Sequence, residues 1–220
     1  DYWTQVIDIT IPDIINFELP SGGEKALAEA AELLSRAKFP VILSGGGVVL
    51  SDAIEETRDL AETLDAPVCC GYQHNDAFPG SHPLHCGPLG YNGSKAAMKL
   101  IQNADVVLAL GTRLNPFSTL PGYGIDYWPK EAEIIQVDLN GSRIGLTKRV
   151  SIGIIGDAKK VARELRKKLG TNAGDIGRSE RKAMISTSKS AWLQELTSLD
   201  HEEDDPGTNW NERARNREPK

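Results

Sequence analysis

Cysteine is scarce in this 220-residue chain and badly placed for bridging: there are three, and two of them, Cys69 and Cys70, are adjacent. That excludes a scaffold held together by disulfides, and reduced thiols are expected. No apolar run approaches the roughly 20 residues that cross a bilayer. The opening residues DYWTQVIDITIPD lack the basic start and apolar stretch of a secretory signal, so the expected location is the cytoplasm. Basic residues are in deficit as well, 25 Lys and Arg against 31 Asp and Glu, for a net charge of −6. Neither nucleic acid nor an anionic membrane is an expected partner, because both require a basic face that displaces counterions. Cys69, Cys70, His74, His82, His85 and Cys86 lie close in sequence, yet they contain no C-x₂-C pair. The spacing therefore points to a loop with Cys69 facing the core rather than to a zinc site, and no metal ligands are assigned.

With 40% hydrophobic residues the chain can bury one substantial core. Its most informative stretch is Ala104 to Asn115, ADVVLALGTRLN, an apolar run of strand length that stops at Gly111. The layout recurs where Phe39 to Ser44 runs into Gly45-Gly46-Gly47, and where Glu133 to Leu139 ends at Asn140-Gly141. Strands that are apolar throughout are buried on both faces. Ala66 to Cys70 and Ile152 to Ile155 read as further strands. Helical spacing of apolar residues marks a helix over Leu27, Ala30, Ala31, Leu34 and Ala37, with Ser21 as a potential cap. A second helix starts at Ser51-Asp52 and a third spans Ser94 to Asn103. A fourth, capped by Asp157, carries Val161, Leu165 and Leu169 and ends at Gly170. A helix from Glu180 to Leu199 precedes a polar tail. The stretch from Gly71 to Asn92 is too rich in Gly, Pro, His and Asn to be helical, and reads as a long functional or partner-facing loop. Alternation of helix and strand predicts an α/β, Rossmann-like, doubly wound parallel sheet of about six strands with helices on both faces.

Ligands in such sheets bind outside the carboxyl ends of the strands, which makes the strand-end residues the candidate cofactor-binding set. Gly45, Gly46 and Gly47 either let a phosphate approach the backbone or permit a tight strand-to-helix turn. Arg113 either clamps a phosphate with its fork of donors or pairs with Asp138. Asp138 and Asn140 either hold a ribose or, at Asn140-Gly141, form a turn. Tyr123, Tyr127 and Trp128, grouped in a second long loop, suit a subunit interface as well as a ligand wall.

The series AKFPVILSGGGV, DAPVCCGYQHNDAFPGSHPLHCGPLGYNGSKAAM, NADVVLALGTRLNPF, EIIQVDLN and IIGDAKKV resembles the central domain of thiamine-diphosphate-dependent enzymes of the acetohydroxyacid synthase and pyruvate oxidase type. The resemblance runs from Ser21 to Leu169. Within that superfamily, YQHNDAFPGSHPL, GPLGYNGSKAAM, GTRLNPFSTLPGYGIDYWP and NGSRIGLTKRV are most similar to the sulfoacetaldehyde acetyltransferase branch. A flavin-dependent synthase is expected to carry a Met-His-Gly-type turn where Leu89-Gly90-Tyr91 stands, and an acidic pair with arginine where Asn115-Pro116-Phe117 stands. Those departures point away from flavin.

The resemblance implies three parts for this chain: a segment leading in from a preceding domain (1–20), the central domain (21–170), and a linker or helical tail toward a third domain (171–220). It implies an acyltransferase that, with thiamine diphosphate and Mg²⁺, converts sulfoacetaldehyde and phosphate to acetyl phosphate and sulfite, with a place in taurine metabolism. The activating glutamate and the Gly-Asp-Gly metal-diphosphate signature are absent here, since Gly156-Asp157-Ala158 is not that motif. No catalytic residue is therefore assigned, and the chain alone is expected to be inactive. The central crevice is expected to take ADP or FAD or to stand empty. His74, Asn75 and Tyr91 either face the thiamine site or make a domain interface. The implied partners are the flanking domains of the same subunit, in a homodimer or homotetramer. The alternatives are an acetolactate synthase-like central domain and a stand-alone nucleotide-binding regulatory module.

Overall fold

A computed structural model describes residues 4, 6, 8–13 and 18–199. Six strands form one all-parallel sheet: β1 (Pro40–Ser44), β2 (Val68–Cys70), β3 (His85–Pro88), β4 (Val106–Leu110), β5 (Glu133–Asp138) and β6 (Ile152–Ile155), in the order β3-β2-β1-β4-β5-β6. Every residue of β1 and β4 is buried, as continuous apolar runs in a two-sided parallel sheet require. Their register sets Ser44 beside Leu110, so the two central strands end level. The sheet is wound outward in both directions from this pair.

Helices α1 (Glu24–Arg36), α3 (Ile54–Leu64) and α6 (Ala158–Lys168) pack together, with α6 touching both of the others. Three ion pairs join α6 to α3 and the turn before it: Asp52 with Lys159, Glu56 with Arg163, and Asp59 with Arg166. Each pair is 107 residues apart in sequence. A constant offset is what two helices running in the same direction produce. These exposed pairs set register more than stability. On the opposite side of the fold, α4 (Lys95–Gln102) packs against α7 (Arg178–Leu199).

Several local expectations need correction. Ser21 does not cap α1; the N-cap is Gly23, with no side-chain bond, and Ser21 instead bridges antiparallel to Gly156 beside β6. Ser51 and Asp52 do not open α3. Ser51 closes a short helix, α2 (Gly46–Leu50), and Asp52 takes a left-handed turn with φ +52°. Strand β3 lies inside the stretch expected to be irregular. It pairs with β2 only, with a register shift between Val68 and Cys69, and an edge strand tolerates the Gly87 and Pro88 that disguise it in sequence. A second short helix, α5 (Pro116–Thr119), interrupts the second long loop, capped by the Asn115 side chain. Ser94 and Asp157 cap α4 and α6 as their positions predict. The tail beyond residue 199 lies outside the described residues.

Arg181 on α7 is completely buried. Among the described residues it meets no carboxylate at hydrogen-bond distance and instead donates to five backbone carbonyls: Asp65 (2.9 Å), Leu64 (2.9 Å), Lys38 (2.6 Å), Ile176 (2.9 Å) and Gly174 (2.5 Å). Leu64 and Asp65 close α3, and Lys38 follows α1, so one guanidinium satisfies acceptors that helix ends leave unpaired. Replacing Arg181 by alanine strands these carbonyls in a dry site. The expected loss is about 3 kcal/mol or more of unfolding free energy, read as a lower urea midpoint. Arg181→Lys, with a point charge in place of a planar fork, recovers only part of it.

Candidate functional site

The carboxyl ends of the central strands open into a crevice of about 890 Å³. Gly45, Gly46, Gly47, Arg113, Asp138 and Asn140, distant in sequence, all line it, together with His74. The divergence of β1 and β4 creates the space, because the chain turns away from each strand in a different direction.

The three glycines have separate roles. Gly45 N–H donates to Leu110 O (3.0 Å) and Gly47 N–H to Gly111 O (2.8 Å). A Cβ on Gly47 would stand 2.7 Å from Gly111 Cα, so the two turns touch backbone to backbone. Gly111 itself has φ +61°, a conformation glycine adopts without strain. At Gly46 the space a Cβ would fill is taken by the His74 ring, with Nε2 2.5 Å from that point. The glycine run therefore serves close approach at all three positions, to the chain leaving β4 at both of its ends and to the His74 ring in its middle.

Arg113 is exposed and forms no ion pair among the described residues; the pairing with Asp138 is not formed. Asp138 is buried and uses Oδ1 to accept the Asn140 N–H (2.8 Å), while Asn140 Oδ1 accepts the Ser142 N–H and hydroxyl. Asn140 thus caps a single 3-10 turn over Gly141–Arg143. That turn brings Arg143 to the crevice, and α6 contributes Lys159, Lys160 and Arg163. Lys159 and Arg163 lean on Asp52 and Glu56, and Lys160 donates to Leu19 O (2.8 Å). The two lining acids, Asp138 and Asp157, are each engaged by backbone N–H groups. Of the five cations, Lys159 and Arg163 are paired with Asp52 and Glu56 and Lys160 lies 3.7 Å from Glu18, so Arg113 and Arg143 are the two without an ion pair among the described residues.

Sequence reasoning missed Gln136. Buried in β5, its amide donates to Thr112 O and Arg143 O (3.2 Å each), and its carbonyl accepts the Gly145 N–H (2.9 Å). One side chain fixes the loops that present Arg113 and Arg143. A lone polar residue within an apolar strand was the available signal. The cations of α6 were missed as well, since lysine and arginine on an amphipathic helix usually mark its solvated face.

Tyr127 is not at the surface. Its buried hydroxyl accepts the Gly90 N–H and donates to Ser118 O (3.1 Å each), and burial pushes its pKa up to about 12. Trp128 is half-buried beneath Lys148, and Tyr123 is exposed. Of the other loop residues, Asn75 and Tyr91 are exposed.

The histidines near the cysteines go to different places. His74 faces Gly46, His82 meets Glu62 (3.1 Å), and His85, at the start of β3, is held below the ordinary imidazole range chiefly by burial and secondarily by Lys189. All three cysteines are buried. Among the described residues no group of three or more His, Cys, Asp or Glu is arranged to hold a metal.

Burial raises the Cys70 and Cys86 pKa values from 9.0 to about 12. The unfolded chain ionises these thiols above pH 9 while the fold keeps them protonated to about 12, so their contribution to stability is complete below pH 9 and lost as pH rises through 12. Urea midpoints measured from pH 8 to 11 are expected to fall above pH 9, less steeply in Cys86→Ala. At pH 8 a thiol reagent should label the chain only after denaturant is added.

Comparison with known proteins agrees with this fold. Residues 27–165 match the family model described as thiamine pyrophosphate enzyme, central domain. The chain is 73% identical over 219 residues to the sulfoacetaldehyde acetyltransferase of Roseovarius nubinhibens, covering 100% of this chain and 36% of that protein. It is 65% identical over 219 residues to the sulfoacetaldehyde acetyltransferase of Rhodobacter capsulatus, covering 100% of this chain and 37% of that protein. The chain thus spans about a third of the length of these relatives. Among solved structures, benzoylformate decarboxylase from Polynucleobacter necessarius superimposes with a TM-score of 0.60 at 23% identity, over 76% of this chain and 31% of that one, a likeness of fold. No helix among the described residues is long and apolar enough to cross a membrane.

Proposed function

The chain belongs to the thiamine pyrophosphate enzyme family, as its central domain, and on that premise we propose that it is the middle part of a sulfoacetaldehyde acetyltransferase. The observation that carries this reading is identity of 73% across the whole chain, not only its core, to a relative of that name. In the proposed reaction the carbon–sulfur bond of sulfoacetaldehyde breaks, its electron pair leaves on sulfite, and the two-carbon unit ends as an acetyl group bonded to phosphate. The aldehyde carbon is oxidised as the methylene carbon is reduced, so no external oxidant is needed.

The residues present do not fit the thiamine diphosphate and Mg²⁺ of that reaction. Asp157, in Gly156-Asp157-Ala158, spends its carboxylate on the Lys160 N–H at the start of α6, and no metal-ligand cluster occurs among the described residues. The proposal assigns those groups to flanking domains of the same polypeptide, working in the cytoplasm as a homodimer or homotetramer. This domain then contributes scaffold and an anion crevice. A longer polypeptide carrying this chain is expected to release sulfite from sulfoacetaldehyde with thiamine diphosphate, Mg²⁺ and phosphate, and the 220-residue chain alone is expected to release none. Sulfite from the short chain, or none from the long one, overturns the reading.

The crevice fits an adenine nucleotide better than a flavin. Arg113 and Arg143 suit a diphosphate, and Leu114 to Phe117 departs from the flavin pattern while Asn115 is spent on capping α5. Arg113 carries no competing ion pair among the described residues. Arg113→Ala is expected to weaken ADP binding tenfold to a hundredfold, about 1.5 to 3 kcal/mol. Calorimetric titration with ADP and FAD checks both the ligand and the residue.

A further inference from the structure

On the β3 side of the crevice, the two long loops carry apolar side chains that the fold leaves in solvent. Tyr91 is 48% exposed, Phe117 58%, Leu120 48% and Tyr123 50%. Tyr91, Phe117 and Tyr123 belong to one surface, and Leu120 follows Phe117 at the end of α5. Tyr72 stacks on Tyr91 (5.5 Å between centroids) and on Phe117 (6.1 Å), and its hydroxyl lies 3.1 Å from that of Tyr91. Gly122 sits against Gly90 O and the Tyr91 backbone, carrying Tyr123 to the same edge. Beyond it, Tyr123 meets Trp192 of α7 (6.0 Å), and Lys95 lies over both rings while pairing with Glu195.

The surface is also held rigid. Tyr127 bridges Gly90 to Ser118, and the Ser118 hydroxyl accepts the Tyr72 N–H (3.0 Å). Two loops from different crossovers are thereby clamped into one platform. Aromatic rings presented from a fixed backbone lose little entropy when covered, which is the composition of an interface core and not of a solvated loop. Apolar patches of this kind mark contact sites.

We propose that this aromatic platform is the seat of the polypeptide that follows α7 in the longer enzyme. The inference rests on the reading above, in which this chain is about a third of a larger protein. The occupant is indicated by where α7 leads. Trp192 and Glu195, near its carboxyl end, contact Tyr123 and Lys95 at the border of the platform, so whatever continues from α7 is tethered beside it. Tethering raises the effective concentration of that segment at this surface above that of any free partner.

The test places a photoreactive p-benzoylphenylalanine at Phe117, and separately at Leu120, in the longer polypeptide, with Glu29 on α1 as a control position. Irradiation is expected to give a monomer-sized product at 117 and 120 whose cross-linked peptide lies carboxyl-terminal to α7, with no such product at 29. Cross-links to peptides that precede this chain, a dimer-sized product joining two copies, or no cross-link at either platform position overturns the proposal. Sulfite release by the same preparations separates this outcome from failure of the acetyltransferase reading, because the enzyme can be active with its platform bare.

Discussion

Everything in this molecule is arranged around the contact between the turns that leave β1 and β4. Ser44 and Leu110 end side by side, and within three residues the two chains must separate without losing the hydrogen bonds that join them. Gly45, Gly47 and Gly111 make this possible because none brings a Cβ: side chains there would stand 2.5 to 2.8 Å from the opposing atoms, closer than packed atoms tolerate. The contact fixes how far the sheet opens, and so the width and depth of the crevice.

Given that opening, the distribution of charge follows from connectivity. Parallel winding delivers the amino end of α6 and the short turn after β5 to the same rim, and each brings cations. Asp138 and Asp157 at the rim each accept a backbone N–H, and Gln136 holds the loops from beneath. Arg113 and Arg143, which form no ion pair among the described residues, thus reach one rim from the ends of two different strands.

The central strands and strand-end residues were legible in the sequence because each rests on a strong local rule. β1, β4 and β5 are apolar runs that only a sheet covered on both faces can use, and Gly45, Arg113, Asp138 and Asn140 were found by their place just beyond such runs. What was illegible depends on context. β3 consists of His, Cys, Gly and Pro and is a strand only because β2 offers it an edge. α2 begins inside a glycine run that locally reads as a turn. Arg181 sits among charged residues typical of a solvated helix, and nothing in SERKA foretells that its guanidinium is enclosed by carbonyls from three other segments. Lys159, Lys160 and Arg163 likewise acquire meaning only when parallel packing carries α6 to the rim.

Arg181 has a mechanical consequence. Its bonds join the approach to α7 and the start of that helix to the closing turns behind α1 and α3, at a distance from the strand ends that shape the crevice. A load applied from beyond the carboxyl end of α7 meets the contacts of Trp192 and Glu195 first, while Arg181 anchors the opposite end of the helix. The guanidinium works as the built-in end of a beam does: whatever bends the far end of the helix, its root stays fixed to the closing turns behind α1 and α3.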